Sequence, residues 1–295
     1  MLSPLTLRAG VIGLGTIGGG IVISLGRRGR VAAVFDVRPE AASDLPDGTI
    51  SLRSPAEVAR VSDVVFVSVV DAGQVADAIG GHDGVLTAAH PGLVIAVTST
   101  VAVQVIRHMA ELCEQHGATL LDCGVTGGSK AAENGLLALV GGPDHVVARV
   151  RPLFDDFAEE VVHCGPLGTG MATKIARNVV TYGCWRAVHE AVELAAASGV
   201  EPATLVEVIE ASDRDHIALL SLQRLRMAGR TVDTASRTLR TYLRNMDKDL
   251  DGAQQLAAET GLALPLVDVS RAQGLDTFAW LETVEHQEAP FLPRP

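Results

Sequence analysis

Aromatic and basic residues are scarce in this sequence. Only 3% of its 295 residues are aromatic, and 24 Lys and Arg stand against 35 Asp and Glu, which gives a net charge of −11. A surface with that charge repels a phosphate backbone, and few rings are available to stack on bases. The composition therefore argues against nucleic acid as a partner.

The spacings typical of metal sites and disulfide frameworks are also missing. The four cysteines form no CxxC pair, and the nine histidines form no HExxH or HxxxH pattern. We therefore expect no metal site and no disulfide, with reduced thiols and a cytoplasmic location as the default.

Charge is absent from residues 9–26, AGVIGLGTIGGGIVISLG, over 18 consecutive positions. That length would suit a short membrane span or the core of a signal peptide. Seven of the 18 residues are glycine, which is costly inside a helix, and no AxA-like cleavage site follows directly. We therefore expect no membrane association and attribute the glycines to a tight turn.

Length and periodicity predict two domains. A chain of 295 residues with 47% hydrophobic residues can bury a full core without metal or disulfide staples. Short β-branched runs alternate with helical patterns up to about residue 165, as in parallel strands joined by crossover helices. The predicted strands are Ala9–Leu14, Val31–Asp36, Asp63–Val69, Leu93–Thr98, Thr119–Asp122, Leu137–Val140 and Val161–Cys164.

Strand patterns stop at Gly165. Residues 168–198 contain no proline and predict one helix, which at 1.5 Å per residue would be about 45 Å long and would join two domains. Further helices are predicted at 204–211, 215–228, 236–260 and 265–275, before a Pro-rich tail. We therefore predict an α/β Rossmann domain at 1–165, followed by an all-α domain at 166–295.

A glycine-rich turn predicts a dinucleotide site. Gly13, Gly15 and Gly18 form a GxGxxG pattern between an apolar strand and an apolar helix. The first glycine permits the tight turn, the second lets the backbone approach a pyrophosphate, and the third lets helix and strand pack closely. The amides at the helix start, including those of Thr16 and Ile17, would hold the phosphates.

Asp36 bears on the choice of cofactor. It ends the next predicted strand, 23 residues after Gly13, where a carboxylate accepts hydrogen bonds from the adenosine ribose. Because its charge repels the 2′-phosphate of NADP, we expect NAD as the cofactor. Arg38 could bind such a phosphate, which keeps NADP open, although a solvated loop arginine is the preferred interpretation.

A lysine on the long helix is the candidate acid or base. Lys174 and Asn178 are four residues apart and share a helix face among apolar neighbours. In a cleft between domains, desolvation would lower the pKa of such a lysine and make it usable for proton transfer. Asn178 would orient a substrate hydroxyl or the ammonium group. A solvated surface lysine is the alternative.

Two further segments carry candidate binding residues. In DCGVTGG, which begins at Asp122, Gly127 and Gly128 would present backbone amides to an anion, and the Thr126 hydroxyl would add a donor. An ordinary loop is equally compatible with this segment. Lys248, in a polar helix, would by itself form only a surface charge pair with its neighbour.

These segments, in this order, resemble the β-hydroxyacid dehydrogenase family, which includes 3-hydroxyisobutyrate dehydrogenase and tartronate semialdehyde reductase. GLGTIGGGIVISLGRRG is similar to the family's cofactor turn and VTST to the pair beside the nicotinamide. DCGVTGGSKAAENG resembles the substrate motif, GPLGTGMATKIARN the catalytic motif, and KDLDGAQQLAAETGLALP a later binding segment. The resemblance runs from Val11 to about Asp268.

The resemblance implies a role for each motif. Lys174 would be the catalytic acid or base, and Asn178 would be the neighbour that holds the substrate. Thr126, Gly127 and Gly128 would bind the carboxylate of a small substrate.

The remaining implications concern the cofactor and assembly. Thr100 would lie at the nicotinamide end, and Lys248 would reach the cofactor or substrate. The implied reaction is hydride transfer between a nicotinamide and a small 3-hydroxy acid. Family members usually assemble through the helical half, which implies a homodimer or homotetramer.

Departures from the family pattern leave the substrate open. Thr126 replaces a usual Ser, Gly124 a usual Pro, Ala131 a usual Gly, and Val70 a usual Pro. Arg177 stands where relatives carry Asn or His, and would either bind a second anion or point to solvent or an ion pair.

Two other functions compete with hydroxy-acid chemistry. One is imine reduction on the same scaffold, which the lysine at position 174 disfavours. The other is a dinucleotide-binding sensor without turnover, for which Lys174 and Asn178 would serve no purpose.

Overall fold

The structure, a computed structural model, describes residues 7–212 and 237–274, with the backbone alone for 237–243. The predicted helix at 215–228 and the Pro-rich end of the chain lie outside the described residues. The chain divides into two compact units, Met1–Val179 and Val180–Pro295.

Eight strands form one sheet in the first unit. They are β1 (Ala9–Ile12), β2 (Ala32–Phe35), β3 (Ile50–Ser51), β4 (Val64–Val67), β5 (Val94–Val97), β6 (Thr119–Thr126), β7 (Leu136–Gly141) and β8 (Ala158–Gly165). Their order in the sheet is β3-β2-β1-β4-β5-β6-β7-β8. Because the chain crosses over between β3 and β4, the carboxyl ends of β1 and β4 frame the crevice where such sheets bind ligands.

The described residues form nine α-helices. They are α1 (Thr16–Arg27), α2 (Pro55–Val61), α3 (Ala72–Gly80), α4 (Val103–Gln115), α5 (Asp144–Asp155), α6 (Thr169–Ala197), α7 (Pro202–Ser212), α8 (Arg237–Thr260) and α9 (Pro265–Ala272). Side chains cap the N-termini of α2 and α3: the Ser54 hydroxyl accepts the Glu57 N–H, and the Asp71 carboxylate accepts the Gln74 N–H. The boundary between the two units lies within α6.

The predicted fold class is confirmed, with an α/β unit followed by helices. The expectation of parallel strands is wrong at one pairing, since β7 runs antiparallel to β6. The connection at 127–135 is too short for the crossover that parallel strands need. β6 also extends to Thr126 rather than ending at Asp122. β3 escaped prediction because its two residues are exposed and carry no apolar pattern.

Apolar side chains pack on both faces of the sheet. The four residues of β4 and the four of β5 are all buried, as expected for strands covered by helices on both sides. On one face Phe66 packs edge-on against Phe154 and Phe157, with ring centroids 5.3 and 5.2 Å away. This core holds the strand ends, and therefore the loops that follow them, in place.

The uncharged stretch at 9–26 is accounted for by the sheet unit. It forms β1, the turn after it and most of α1, so its lack of charge reflects burial. Among the residues that the structure describes, no helix combines the length and apolar character needed to span a bilayer.

Candidate active site

The glycine-rich turn connects β1 to α1. Gly13 has φ +86°, and a Cβ on it would overlap the Ser68 carbonyl oxygen. Gly18 lies so close to Gly13 that a side chain there would overlap the Gly13 carbonyl. Both positions therefore require glycine, the first for its conformation and the second for close packing of helix and strand.

The turn fits a dinucleotide. Within the described residues, no atom apart from those of Gly15 and its chain neighbours lies within 4 Å of the position that a Cβ on Gly15 would take, so the backbone faces open space there. In the described part of the chain, no side chain caps the start of α1. Amides of Thr16 and Ile17 are thus at an uncapped helix start, which suits a pyrophosphate. A cavity of about 720 Å³ continues from Gly13 and Gly15 to Asp36.

The Asp36 carboxylate is hydrogen-bonded to this turn. Its Oδ2 accepts the Leu14 N–H at 2.7 Å, and its Oδ1 accepts the Arg38 N–H at 2.9 Å. Burial alone would raise the pKa of Asp36, but hydrogen bonds from Arg38 and Leu14 outweigh it and lower the pKa. Arg38 is exposed, as expected, but its Nε also lies 3.1 Å from Asp36 Oδ1. Asp77 and Asp83 line the same cavity.

The loop after β5 carries Thr100. Its neighbour Ser99 is buried and holds the end of β4, because the Ser99 hydroxyl accepts the Val69 N–H and donates to the Val69 carbonyl, both at 2.8 Å. Thr100 itself is exposed at the carboxyl end of β5. The structure thus brings Thr100 to the carboxyl ends of the parallel strands, where the glycine turn also lies.

The predicted substrate turn begins where β6 ends. Gly127 adopts φ +81°, a left-handed conformation that favours glycine, and starts the 3₁₀ turn Gly128–Glu133. Thr126, Gly127 and Arg177 line a cavity of about 630 Å³, together with Gly135, Leu137, Glu159 and Glu160. A Cβ on Gly128 would lie 3.3 Å from Ile17 Cδ1, so the substrate turn contacts the cofactor turn.

Lys174 lies on α6 directly against β6. A Cβ on Gly124 would lie 2.5 Å from Lys174 Cβ, which explains why this chain has no larger residue there. Burial, and next the charge of Arg177, lower the pKa of Lys174. Asn178 follows one turn later and accepts a 3.4 Å hydrogen bond from Arg177 Nη1. Lys174 and Asn178 therefore share the helix face that was predicted.

Lys248 belongs to the second unit and lies on α8. It is exposed and pairs with Asp249 at 3.1 Å, as expected for a surface charge pair. Its surroundings resemble those of a solvated lysine, unlike the surroundings of Lys174.

The contacts of two residues beside the site were not predicted from the sequence. Asp122 is buried, and its carboxylate accepts the N–H groups of Gly168 and Met171 at the start of α6. Ser24 donates to the Ala131 carbonyl at 2.8 Å and so ties α1 to the segment after the substrate turn. An aspartate within the apolar run LLDCGV was the available signal for the first, whereas nothing in the sequence singles out the second.

Comparison with known proteins agrees with this geometry. Residues 8–165 match the family model described as the NAD binding domain of 6-phosphogluconate dehydrogenase. Residues 168–278 match the model described as NAD-binding of NADP-dependent 3-hydroxyisobutyrate dehydrogenase. The chain belongs to the β-hydroxyacid dehydrogenase family. As a member of it, the chain is an NAD(P)-dependent oxidoreductase acting on CH–OH groups.

Several relatives match this chain over most of its length. It is 30% identical to 2-(hydroxymethyl)glutarate dehydrogenase of Eubacterium barkeri, over 92% of this chain and 91% of that protein. It is also 30% identical to 2-hydroxy-3-oxopropionate reductase of Escherichia coli, over 88% and 87%. A relative from Dictyostelium discoideum, at 32% identity, is matched over 69% of this chain and 64% of its own length.

Solved structures show the same fold. The 3-hydroxyisobutyrate dehydrogenase of Mycobacterium tuberculosis, in a structure with L-serine, is 27% identical and covers 92% of this β-hydroxyacid dehydrogenase and 94% of that chain, with a TM-score of 0.65. An imine reductase from Myxococcus stipitatus has a TM-score of 0.78 over 93% and 94% of the two chains, but only 16% identity. The similarity to the imine reductase therefore shows a shared fold and nothing about activity.

Proposed function

We propose that this enzyme transfers a hydride between NAD and a small 3-hydroxy acid, with Lys174 as the acid or base for the hydroxyl proton. The contact between Lys174 and Gly124 carries this proposal. Gly124 is two residues from Thr126 on the same strand, so the lysine and the proposed carboxylate site share one element. The names of the relatives also support it, since each names an acid with an alcohol or aldehyde one carbon beyond the α-carbon.

The substrate would be held at its carboxylate and at its reacting hydroxyl. Amides of Gly127 and Gly128, with the Thr126 hydroxyl, would bind the carboxylate, and Asn178 would hold the reacting hydroxyl. In the oxidative direction, neutral Lys174 accepts the hydroxyl proton as the carbinol C–H bond breaks and a carbonyl forms. The bound nicotinamide supplies the hydride acceptor at its C4. In reduction, Lys174 returns the proton to the developing alkoxide.

NAD is the proposed cofactor, with NADP the weaker alternative. Asp36, Asp77 and Asp83 all line the 720 Å³ cavity, where carboxylates would repel a 2′-phosphate. Arg38 already pairs with Asp36, so that binding a phosphate would require this ion pair to break or rearrange.

We also propose a homodimer or homotetramer. Helix α6 exposes Tyr182, Trp185 and Val188, which a second copy could cover. Light scattering should give a mass above the 30.8 kDa of one chain. A cytoplasmic location stays an expectation.

The experiment that tests the function follows the formation of NADH from NAD, and of NADPH from NADP in parallel, across a panel of short 3-hydroxy acids. At least one acid should be oxidised, and faster with NAD. Lys174→Ala should lower turnover about 10²–10⁴-fold, the usual contribution of positioned proton transfer. Lys174→Arg should not restore it, because a guanidinium stays charged and cannot accept the proton.

Controls separate this proposal from its alternatives. NAD affinity should be nearly unchanged in Lys174→Ala, since the cofactor turn is intact. A cyclic imine supplied with NADH or NADPH, whose consumption is followed, tests imine reduction. Similar single-turnover hydride transfer in wild type and Lys174→Ala would refute the role of Lys174, and NAD binding without turnover of any substrate would favour a sensor.

A further inference from the structure

Asp122 is a buried carboxylate to which the proposed reaction gives no role. It is fully buried, and its Oδ1 and Oδ2 accept the N–H groups of Gly168 and Met171, each at 2.6 Å. These amides lie at the start of α6, where N–H groups have no partner within the helix. A strand residue thus caps a helix through N–H groups that lie 46 and 49 residues later in the chain.

The start of α6 lies directly on the backbone of the sheet. A Cβ on Gly170 would be 2.7 Å from the Gly141 nitrogen and 3.0 Å from the Asp122 carbonyl oxygen. Because glycine is the smallest residue on both sides of this contact, α6 cannot move closer to the strands. The cap therefore acts on a helix end that is already in backbone contact.

Three residues on one face of β6 contact either α6 or the cavity of the proposed carboxylate site. Asp122, Gly124 and Thr126 alternate along the strand, so their side-chain positions share a face and are about 7 Å apart. Asp122 caps α6, Gly124 contacts Lys174, and Thr126 lines the cavity of the proposed carboxylate site. The cap of α6, the contact of Lys174 and the proposed carboxylate site therefore follow one another along a single face of β6.

We propose that Asp122 is a positioning residue, which fixes Lys174 relative to the substrate turn by anchoring the start of α6 to β6. The inference rests on the proposed function. A misplacement of about 1 Å in a reacting group can cost about 10²-fold in rate, so the anchor should be visible in turnover.

Two variants test the anchor. Asp122→Asn keeps the size but leaves one acceptor oxygen and turns an NH₂ group toward an amide. Asp122→Glu keeps both oxygens but adds a methylene, which pushes the helix end away from the strand. Both should lower kcat about 10–100-fold, with NAD affinity within about two-fold of wild type. Asp122→Glu should do so while retaining most of the thermal stability.

Glu190 provides a matched control in the second unit. It is buried, and its carboxylate accepts the N–H groups of Leu266 and Val267 at the start of α9. Glu190→Gln should lose thermal stability as Asp122→Asn does, with kcat within about two-fold of wild type.

The outcomes separate the inference from the function. If both Asp122 variants keep wild-type kcat, or neither folds, Asp122 serves stability alone and the inference is wrong. If wild type oxidises no acid in the panel, the proposed function fails instead. Lys174 placement is then read from its acetylation rate against Lys130 and Lys248, the other two lysines of the chain. An unchanged relative rate in both variants would overturn the inference.

Discussion

The two units differ in where their apolar side chains lie. In the first, Phe66, Phe154 and Phe157 are fully buried beside the sheet. In the described part of the second, Ala257 and Leu264 are the buried apolar residues, whereas Trp185 is 66% exposed. The first unit therefore has an apolar core of its own, whereas the described residues of the second unit leave large apolar side chains exposed.

The two candidate lysines, Lys174 in the first unit and Lys248 in the second, also differ in burial. Lys174 lies against the sheet, and burial and Arg177 lower its pKa. Lys248 is exposed on α8 beside Asp249. Proton transfer needs a lysine that loses its charge near working pH, which desolvation favours and solvent exposure does not. The surroundings therefore favour Lys174 over Lys248 as the residue for the proposed proton transfer.

Removal of a core ring should have the largest effect. Phe66→Ala should cost about 3–5 kcal/mol in the free energy of unfolding of the first unit, because it leaves a cavity between two other rings. Trp185→Ala should instead destabilise the protein more at high protein concentration, where a second copy would cover that ring. Denaturation followed by circular dichroism at two protein concentrations measures both. If Trp185→Ala cost the same at every concentration, Trp185 would not lie in a contact between two copies of the chain.

Lys248→Ala should have an intermediate effect. Loss of one hydrogen bond to a charged group costs about 1.5–3 kcal/mol, so we expect KM for cofactor or substrate to rise roughly 10–100-fold. Turnover at saturation should stay close to that of wild type, unlike in Lys174→Ala. Steady-state kinetics with both variants make the comparison. A larger loss of turnover in Lys248→Ala than in Lys174→Ala would move proton transfer to Lys248.

Local patterns predicted much of this molecule. The GxGxxG pattern and Asp36 were predicted to form one site, and the Leu14 N–H of that turn does donate to the Asp36 carboxylate. The Pro-free stretch at 168–198 predicted α6 to within one residue at each end. These signals are local, because the conformation of each turn or helix depends on neighbours in sequence.

Contacts between distant segments were not predictable in the same way. The Asp122 cap joins residues 46 and 49 positions apart, and the antiparallel β6–β7 pairing depends on a loop conformation. The unusual Ala131 packs against Gly20, where any Cβ would overlap it. A single sequence gives no signal that pairs such residues, although Ala131 by itself is visible as a departure from the family pattern.

The smallest expected effect concerns the pH dependence of the first unit's lysine. Oxidation requires neutral Lys174, so its rate should fall as pH drops through the pKa of that residue. Arg177→Gln removes one of the two causes that lower this pKa, and the pKa should therefore rise. The midpoint of kcat for oxidation should move to higher pH, and reduction, which needs the protonated lysine, should persist to higher pH. Arg177→Lys keeps the charge and should leave both profiles near those of wild type.

Salt provides an internal check on that shift. Arg177 is exposed, so its interaction with Lys174 is screened, and the difference between wild type and Arg177→Gln should shrink as ionic strength rises. Carbon NMR of labelled lysine would read the same pKa directly, since the chain has only three lysines to resolve. An unmoved or lowered pKa of Lys174 in Arg177→Gln would mean that burial alone sets it. The site would then depend on the sheet packing that distinguishes the first unit, without help from the neighbouring charge.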